Sequence, residues 1–164
     1  MRKQTGFSLI ELLIVVAIIL IIAAIAIPNL MRARIAANEA SAVASVHTIS
    51  TAEEVYNSSY PGTGYAPTLA NLGAGGVSPC VPAFTSACLI DDVLATAANA
   101  AKAKSGYVFA APGTASTFFI TALPVAPSTG NRSFCAVPDT ITRFNPTGAA
   151  IADAAACGVL GAIQ

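Results

Sequence analysis

A chain of 164 residues leaves room for one modest domain and a long helix. Only 10% of its side chains are charged, eight basic and eight acidic, and no segment carries a basic stripe. That excludes an electrostatic grip on a phosphate backbone, so nucleic acid is not an expected partner.

Arg2 and Lys3 open the chain, and from Phe7 to Ile27 only Ser8 and Glu11 are polar. At about 1.5 Å per residue this run makes a helix roughly 30 Å long, the thickness of a bilayer's hydrocarbon core. The two basic residues hold the N-terminus on the cytoplasmic side and send everything after Ile27 outward. Glu11 is the anomaly. A carboxylate near the start of a membrane helix is costly without a partner, which marks it as a functional residue. A rival reading takes Arg2-Lys3 and the apolar run as a secretory signal, with Ala24-Ile25-Ala26 as the cleavage site and a soluble product from Ile27. The run is too long for a signal core, and an acid inside it argues the same way.

Pro28 removes one backbone donor and is expected to kink the helix. The helical pattern then resumes to about Ser58 with no Gly or further Pro. Val43, Val46, Ile49 and Tyr56 recur at steps of three or four beside Ala42 and Ala52, which predicts a buried face. Arg32, Arg34, Asn38, Glu39, Ser45 and Glu54 are assigned to the opposite, solvent face. Tyr60-Pro61-Gly62-Thr63-Gly64 ends the helix. The stretch to Ala87 reads as a surface loop, with a short helical turn at Thr68 to Leu72. Leu89 to Lys104 reads as a second helix, with Asp91 and Asp92 at its start, Lys102 and Lys104 at its end, and Gly106 as its stop.

Strand-like runs follow at Gly106–Ala111, Thr117–Leu123, Arg132–Val137 and Ile141–Phe144, punctuated by Pro112-Gly113, Pro127 to Asn131 and Pro138-Asp139. Their spacing suits antiparallel hairpins. Tyr107, Phe109, Phe118 or Phe119, and Phe134 are expected to face the amphipathic helix half. The Ala- and Gly-rich tail from Pro146 would be loose unless Cys157 ties it back.

The four cysteines, Cys80, Cys88, Cys135 and Cys157, all fall in the part sent outward. An even count there reads as two disulfides, with three possible connectivities. The sequence-local pairing, Cys80–Cys88 and Cys135–Cys157, is favoured, and chain-entropy arguments value the two bonds at about 2.6 and 3.4 kcal/mol. No Cys-x-x-Cys spacing exists and His47 stands far off, so no metal or other cofactor is expected. Calcium needs six to eight oxygens, and Asp91, Asp92, Asp139, Asn145 and Asp153 form no dense run. Gly73-Ala74-Gly75-Gly76 lacks the Lys of a phosphate loop, and His47 has no nucleophile beside it. The aromatics, which could stack for electron transport, are accounted for by core packing. Asn57-Ser58-Ser59 and Asn131-Arg132-Ser133 match a glycosylation triplet that arises often by chance. No catalytic constellation is present, so the chain does not read as an enzyme.

The short basic leader ending in Gly6, then Phe7, a Glu five residues into the chain that begins there, the aliphatic helix and Pro28 together resemble the N-terminus of type IV pilins and the related pseudopilins. The resemblance rests on the first thirty residues or so. It implies cleavage after Gly6 by prepilin peptidase, methylation of Phe7, and a Glu11 carboxylate paired with the Phe7 amine of a neighbouring subunit during assembly. It implies an α+β, ladle-like pilin fold, a long N-terminal helix packed on a small antiparallel sheet. The domains would be a leader (1–6), a transmembrane and filament-core helix (7–27), its amphipathic continuation (28–59) and a globular head (60–164) closed by a C-terminal disulfide loop. The mature chain would keep six basic against eight acidic side chains. It would be an inner-membrane single-pass precursor, then a homo-oligomeric helical filament at the cell surface or a periplasmic pseudopilus, raised by the inner-membrane assembly machinery. A pseudopilin of type II secretion, or a minor pilin acting as adhesin or in DNA uptake, are the alternatives.

Overall fold

The computed structural model describes residues 8–163, which fall into two compact units that meet between Arg34 and Ile35. One helix, α1 (Leu9–Ser59), supplies all the secondary structure of the first unit and the opening of the second. It contains Pro28, whose missing N–H leaves the Ala24 carbonyl without its helical partner.

In the second unit, α1 buries Glu39, Ala42, Ser45, Val46, Ile49, Ser50, Ala52, Glu53 and Tyr56. The apolar members of this set are the expected ones. The polar members are not: Glu39 and Ser45, assigned to the solvent face, are buried. Positions 39, 42, 46, 49, 53 and 56 repeat at alternating steps of three and four, so they share one helix face whatever their polarity.

A five-stranded antiparallel sheet packs against that face, in the sequential order β1 (Tyr107–Ala110), β2 (Ile120–Pro124), β3 (Ser133–Ala136), β4 (Arg143–Asn145) and β5 (Gly161–Ala162). The chain is therefore α+β. The register sets Phe109, Ala122, Phe134 and Phe144 in one row across four strands. Tyr107, Phe109, Phe118 and Phe134 join Val46, Ile49 and Tyr56 in one core. Of the adjacent phenylalanines, Phe118 enters this core, while Phe119 packs beside Cys135, Ile151 and Cys157 in a second cluster on the other side. Alternation along the strand decides which is which.

The helix expected over Leu89 to Lys104 is broken. It yields α3 (Asp92–Ala95) and a 3₁₀ turn (Ala100–Lys102), after the short α2 (Leu69–Leu72). The buried Ala97 carbonyl accepts the Phe109 N–H at 2.8 Å, which serves the sheet edge and pulls the backbone out of helical geometry. Asn99 then caps the 3₁₀ turn by accepting from the Lys102 N–H. Lys104, expected at the far end of a helix from Asp91, folds back to within 3.6 Å of it.

Cys157 ties the tail back, as expected, and the tail carries α4 (Ala154–Gly158) and β5. Disulfides join Cys80 to Cys88 and Cys135 to Cys157, each with Cα atoms 6.1 Å apart. The first closes a loop of the 73–88 stretch. The second fixes α4 to the middle of β3. Replacing both Cys135 and Cys157 by Ala should destabilise the head by about 3.4 kcal/mol, against about 2.6 kcal/mol for the Cys80–Cys88 pair. Chemical denaturation of the full chain in detergent, followed by near-ultraviolet dichroism, measures both, and the reverse ranking would contradict the loop-length argument.

Candidate functional site

From Leu9 to Ile27, every Leu, Ile and Val side chain of α1 is exposed, from Leu9 at 80% to Val15 and Val16 at 46%. Leu30 and Met31 continue the surface. Nothing among the described residues covers this sleeve. It is long and apolar enough to cross a membrane, and it is the one such helix among the described residues. Glu11 stands exposed in its first turn, where the N-terminal end of the helix dipole favours an anion. Gly6 and Phe7, assigned to cleavage and methylation, lie outside the described residues, as does the leader.

The head is fastened to α1 by a second carboxylate. Glu39 Oε1 accepts the backbone N–H groups of Asn131 and Arg132 at 2.9 and 3.2 Å. Its Oε2 accepts from Arg132 Nε at 2.8 Å and pairs with Nη2 at 2.7 Å. One residue earlier on α1, Asn38 Nδ2 donates to the Thr129 carbonyl at 2.9 Å. The Arg132 guanidinium lies 5.7 and 5.5 Å from the ring centres of Phe134 and Phe144. The turn between β2 and β3 is thus held to the helix by a carboxylate with its acceptor sites filled, which offsets the cost of burying it.

Tyr107 completes the clamp by donating to the Arg132 carbonyl at 2.7 Å. Burial, followed by the Glu39 charge, holds its phenol well above the ordinary tyrosine range. Gly130 makes the approach possible, since a Cβ there would lie 2.0 Å from the Tyr107 hydroxyl.

The remaining candidates serve the fold. Asp91 and Asp153 cap short helices by accepting from the N–H groups of Leu94 and Ala156. Asp139 pairs with Arg143, whose hydrogen bond holds its carboxyl below the usual range. His47 is exposed, with its ring nitrogen 3.5 Å from the Thr142 hydroxyl. Glu11 and Pro28 stand several turns apart on α1, and the four cysteines form two separate disulfides in the second unit.

Residues 1–27 match the family described as the prokaryotic N-terminal methylation motif. The chain is 49% identical over 63 residues to the type IV wide pilus major component PilA4 of Thermus thermophilus, an overlap of 37% of this chain and 48% of that one. It is 41% identical over 66 residues to the type II secretion system core protein G of Vibrio cholerae, covering 38% and 45%. The core protein G of Escherichia coli is 35% identical over 82 residues, covering 44% and 57%. Over its N-terminal stretch the chain is thus similar to a type IV pilus component and to type II secretion core proteins. It spans about half the length of these curated relatives, and each alignment is longer than the 27-residue motif. No solved structure matches the chain.

The Glu39–Arg132 clamp joins α1 to the β2–β3 turn of the sheet. A double-mutant cycle with Glu39→Ala and Arg132→Ala should return a coupling above ~1 kcal/mol, the upper end for exposed ion pairs. A coupling near zero in denaturation of the full chain would reduce the clamp to two independent surface contacts.

Proposed function

We propose that this protein is a structural subunit of a type IV pilus-like extracellular filament. Prepilin peptidase cuts it after Gly6, Phe7 is methylated, and the subunit polymerises through its N-terminal helix. The observation that carries the reading is the uncovered apolar sleeve from Leu9 to Ile27 with Glu11 as the one charge in it. Such a surface is stable in lipid or against copies of itself. Exchanging one for the other costs little, because apolar area stays out of water in both.

In this scheme residues 7–27 span the inner membrane before assembly and form the filament core afterwards. Residues 28–59 carry the head, Pro28 loosens the helix between the two stretches, and residues 60–164 face outward. Glu11 sets register by pairing with the Phe7 amine of the next subunit, since an unpaired charge in the apolar core would be costly. The protein acts by assembly and not as an enzyme, with the inner-membrane pilus or secretion machinery as its partner. The core protein G relatives support a second reading, a periplasmic pseudopilus of type II secretion.

Intact-mass and N-terminal peptide spectrometry of membrane and sheared surface fractions tests the proposal. A methylated chain starting at Phe7 in the sheared fraction is expected. The same chain confined to the cell envelope favours the pseudopilus, and a soluble chain starting at Ile27 overturns both readings. Glu11→Ala should be processed normally yet lower sheared protein at least about tenfold, since ~1.4 kcal/mol per subunit contact is already a factor of ten. Normal filaments from that variant would remove Glu11 from assembly.

A further inference from the structure

Glu53 is the most buried charged-type side chain of the head, with no solvent exposure. Its Oε2 accepts the Ala66 N–H at 2.8 Å, and its Oε1 has no hydrogen-bond partner. Ser50, one turn earlier on the same helix face, is also buried with an unpartnered hydroxyl. A carboxylate enclosed in this way needs a cation, several donors or a proton. Glu39, on the same face, has the first two. Glu53 has one backbone donor.

No cation can reach it from the segments packed nearby. From Tyr60 to Ile90 the chain contains no Asp, Glu, Lys, Arg or His, and 105–131 contains none either. The titratable groups that act on Glu53 are Glu54 beside it on α1 and Tyr65, whose hydroxyl donates to Glu54 at 3.3 Å. An anionic neighbour makes ionisation harder.

The segment that Glu53 grips is itself clamped from the far side. The Tyr65 N–H donates to the Thr114 carbonyl at 2.9 Å, and the Tyr65 ring meets Phe118 edge-on at 4.9 Å. Gly113 lies so close that a Cβ on it would come within 2.4 Å of the Ala66 carbonyl oxygen. The chain from Tyr60 to Ala66 therefore has no slack, and water reaches Glu53 by lifting it.

We propose that Glu53 is a proton-operated latch: neutral, it holds the Tyr60–Ala66 segment closed on α1, and ionised, it releases that segment to water. The proton belongs on Oε1, because Oε2 receives the Ala66 amide. Burial, opposed by the Ala66 hydrogen bond and reinforced by Glu54, raises the carboxyl from 4.5 to about 7. The closed state binds the proton more tightly than the open one, so the latch is strongest below pH 4.5 and weakens as pH rises to about 7 and beyond. The inference concerns the head alone and does not rest on filament assembly.

The test uses the full chain in detergent micelles. Hydrogen exchange at the Gly62–Ala66 amides, corrected for the intrinsic pH dependence of exchange, should lose protection by roughly 10²-fold between pH 4.5 and 8. Amides of β3 serve as the internal reference and should not follow. Infrared difference spectra should contain a protonated-carboxyl C=O band that titrates near neutrality and disappears in Glu53→Gln, whose segment should stay closed across this range. Glu54→Gln removes the neighbouring charge without emptying the buried site, and it should move both transitions to lower pH. Absence of the carboxyl band from the wild-type protein at pH 5, or protection at Gly62–Ala66 that tracks the β3 reference, would overturn the proposal. So would a Glu54→Gln variant whose transition does not move.

Discussion

An apolar helix with nothing around it cannot remain in water. Over Leu9 to Ile27 the Leu, Ile and Val side chains of this protein find no cover among the described residues. At about 25 cal/mol per Å² of apolar surface, leaving such a sleeve wet is far more costly than any contact made by the head. Lipid or other subunits must cover it, and both environments make a charge at Glu11 expensive unless it is matched. In the filament reading proposed above, the same constraint that anchors the helix is what gives its lone carboxylate a role.

The second half of the same helix uses carboxylates differently. Glu39 and Glu53 lie on one buried face with Ala42, Val46, Ile49 and Tyr56 between and beyond them. At Glu39, backbone amides and a guanidinium filled out by two phenylalanine rings neutralise the anion and bind the β2–β3 turn. At Glu53, burial with a single backbone donor raises the carboxyl to about 7. Two identical side chains on the same helix face thus meet different surroundings, one filled with donors and one enclosed with a single donor.

The head is small, and its core is built from strands of three to five residues closed by a two-residue edge. One row of Phe109, Ala122, Phe134 and Phe144 faces the helix side, while the Cys135–Cys157 bond pins α4 to the other side of the sheet. Cross-linking compensates for the limited area that so short a sheet can bury.

The amino-acid sequence by itself determined the membrane-length helix, the anomaly of Glu11, the extent of α1, the antiparallel strands and the α+β class. These depend on local spacing, which survives without knowledge of neighbours. The spacing also contained Glu39 and Glu53, since extending the three-and-four step from Ala42 and Ile49 lands on both. The charge of Glu39 argued for solvent, and only the tertiary structure provided the donors that make it tolerable and the enclosure that raises the Glu53 carboxyl. Tertiary contacts likewise decided against a helix over Leu89 to Lys104, where the Ala97 carbonyl serves the sheet edge. They also gave the tail its α4 and β5, because a five-residue helix and a two-residue strand have too little local free energy to announce themselves and exist by docking.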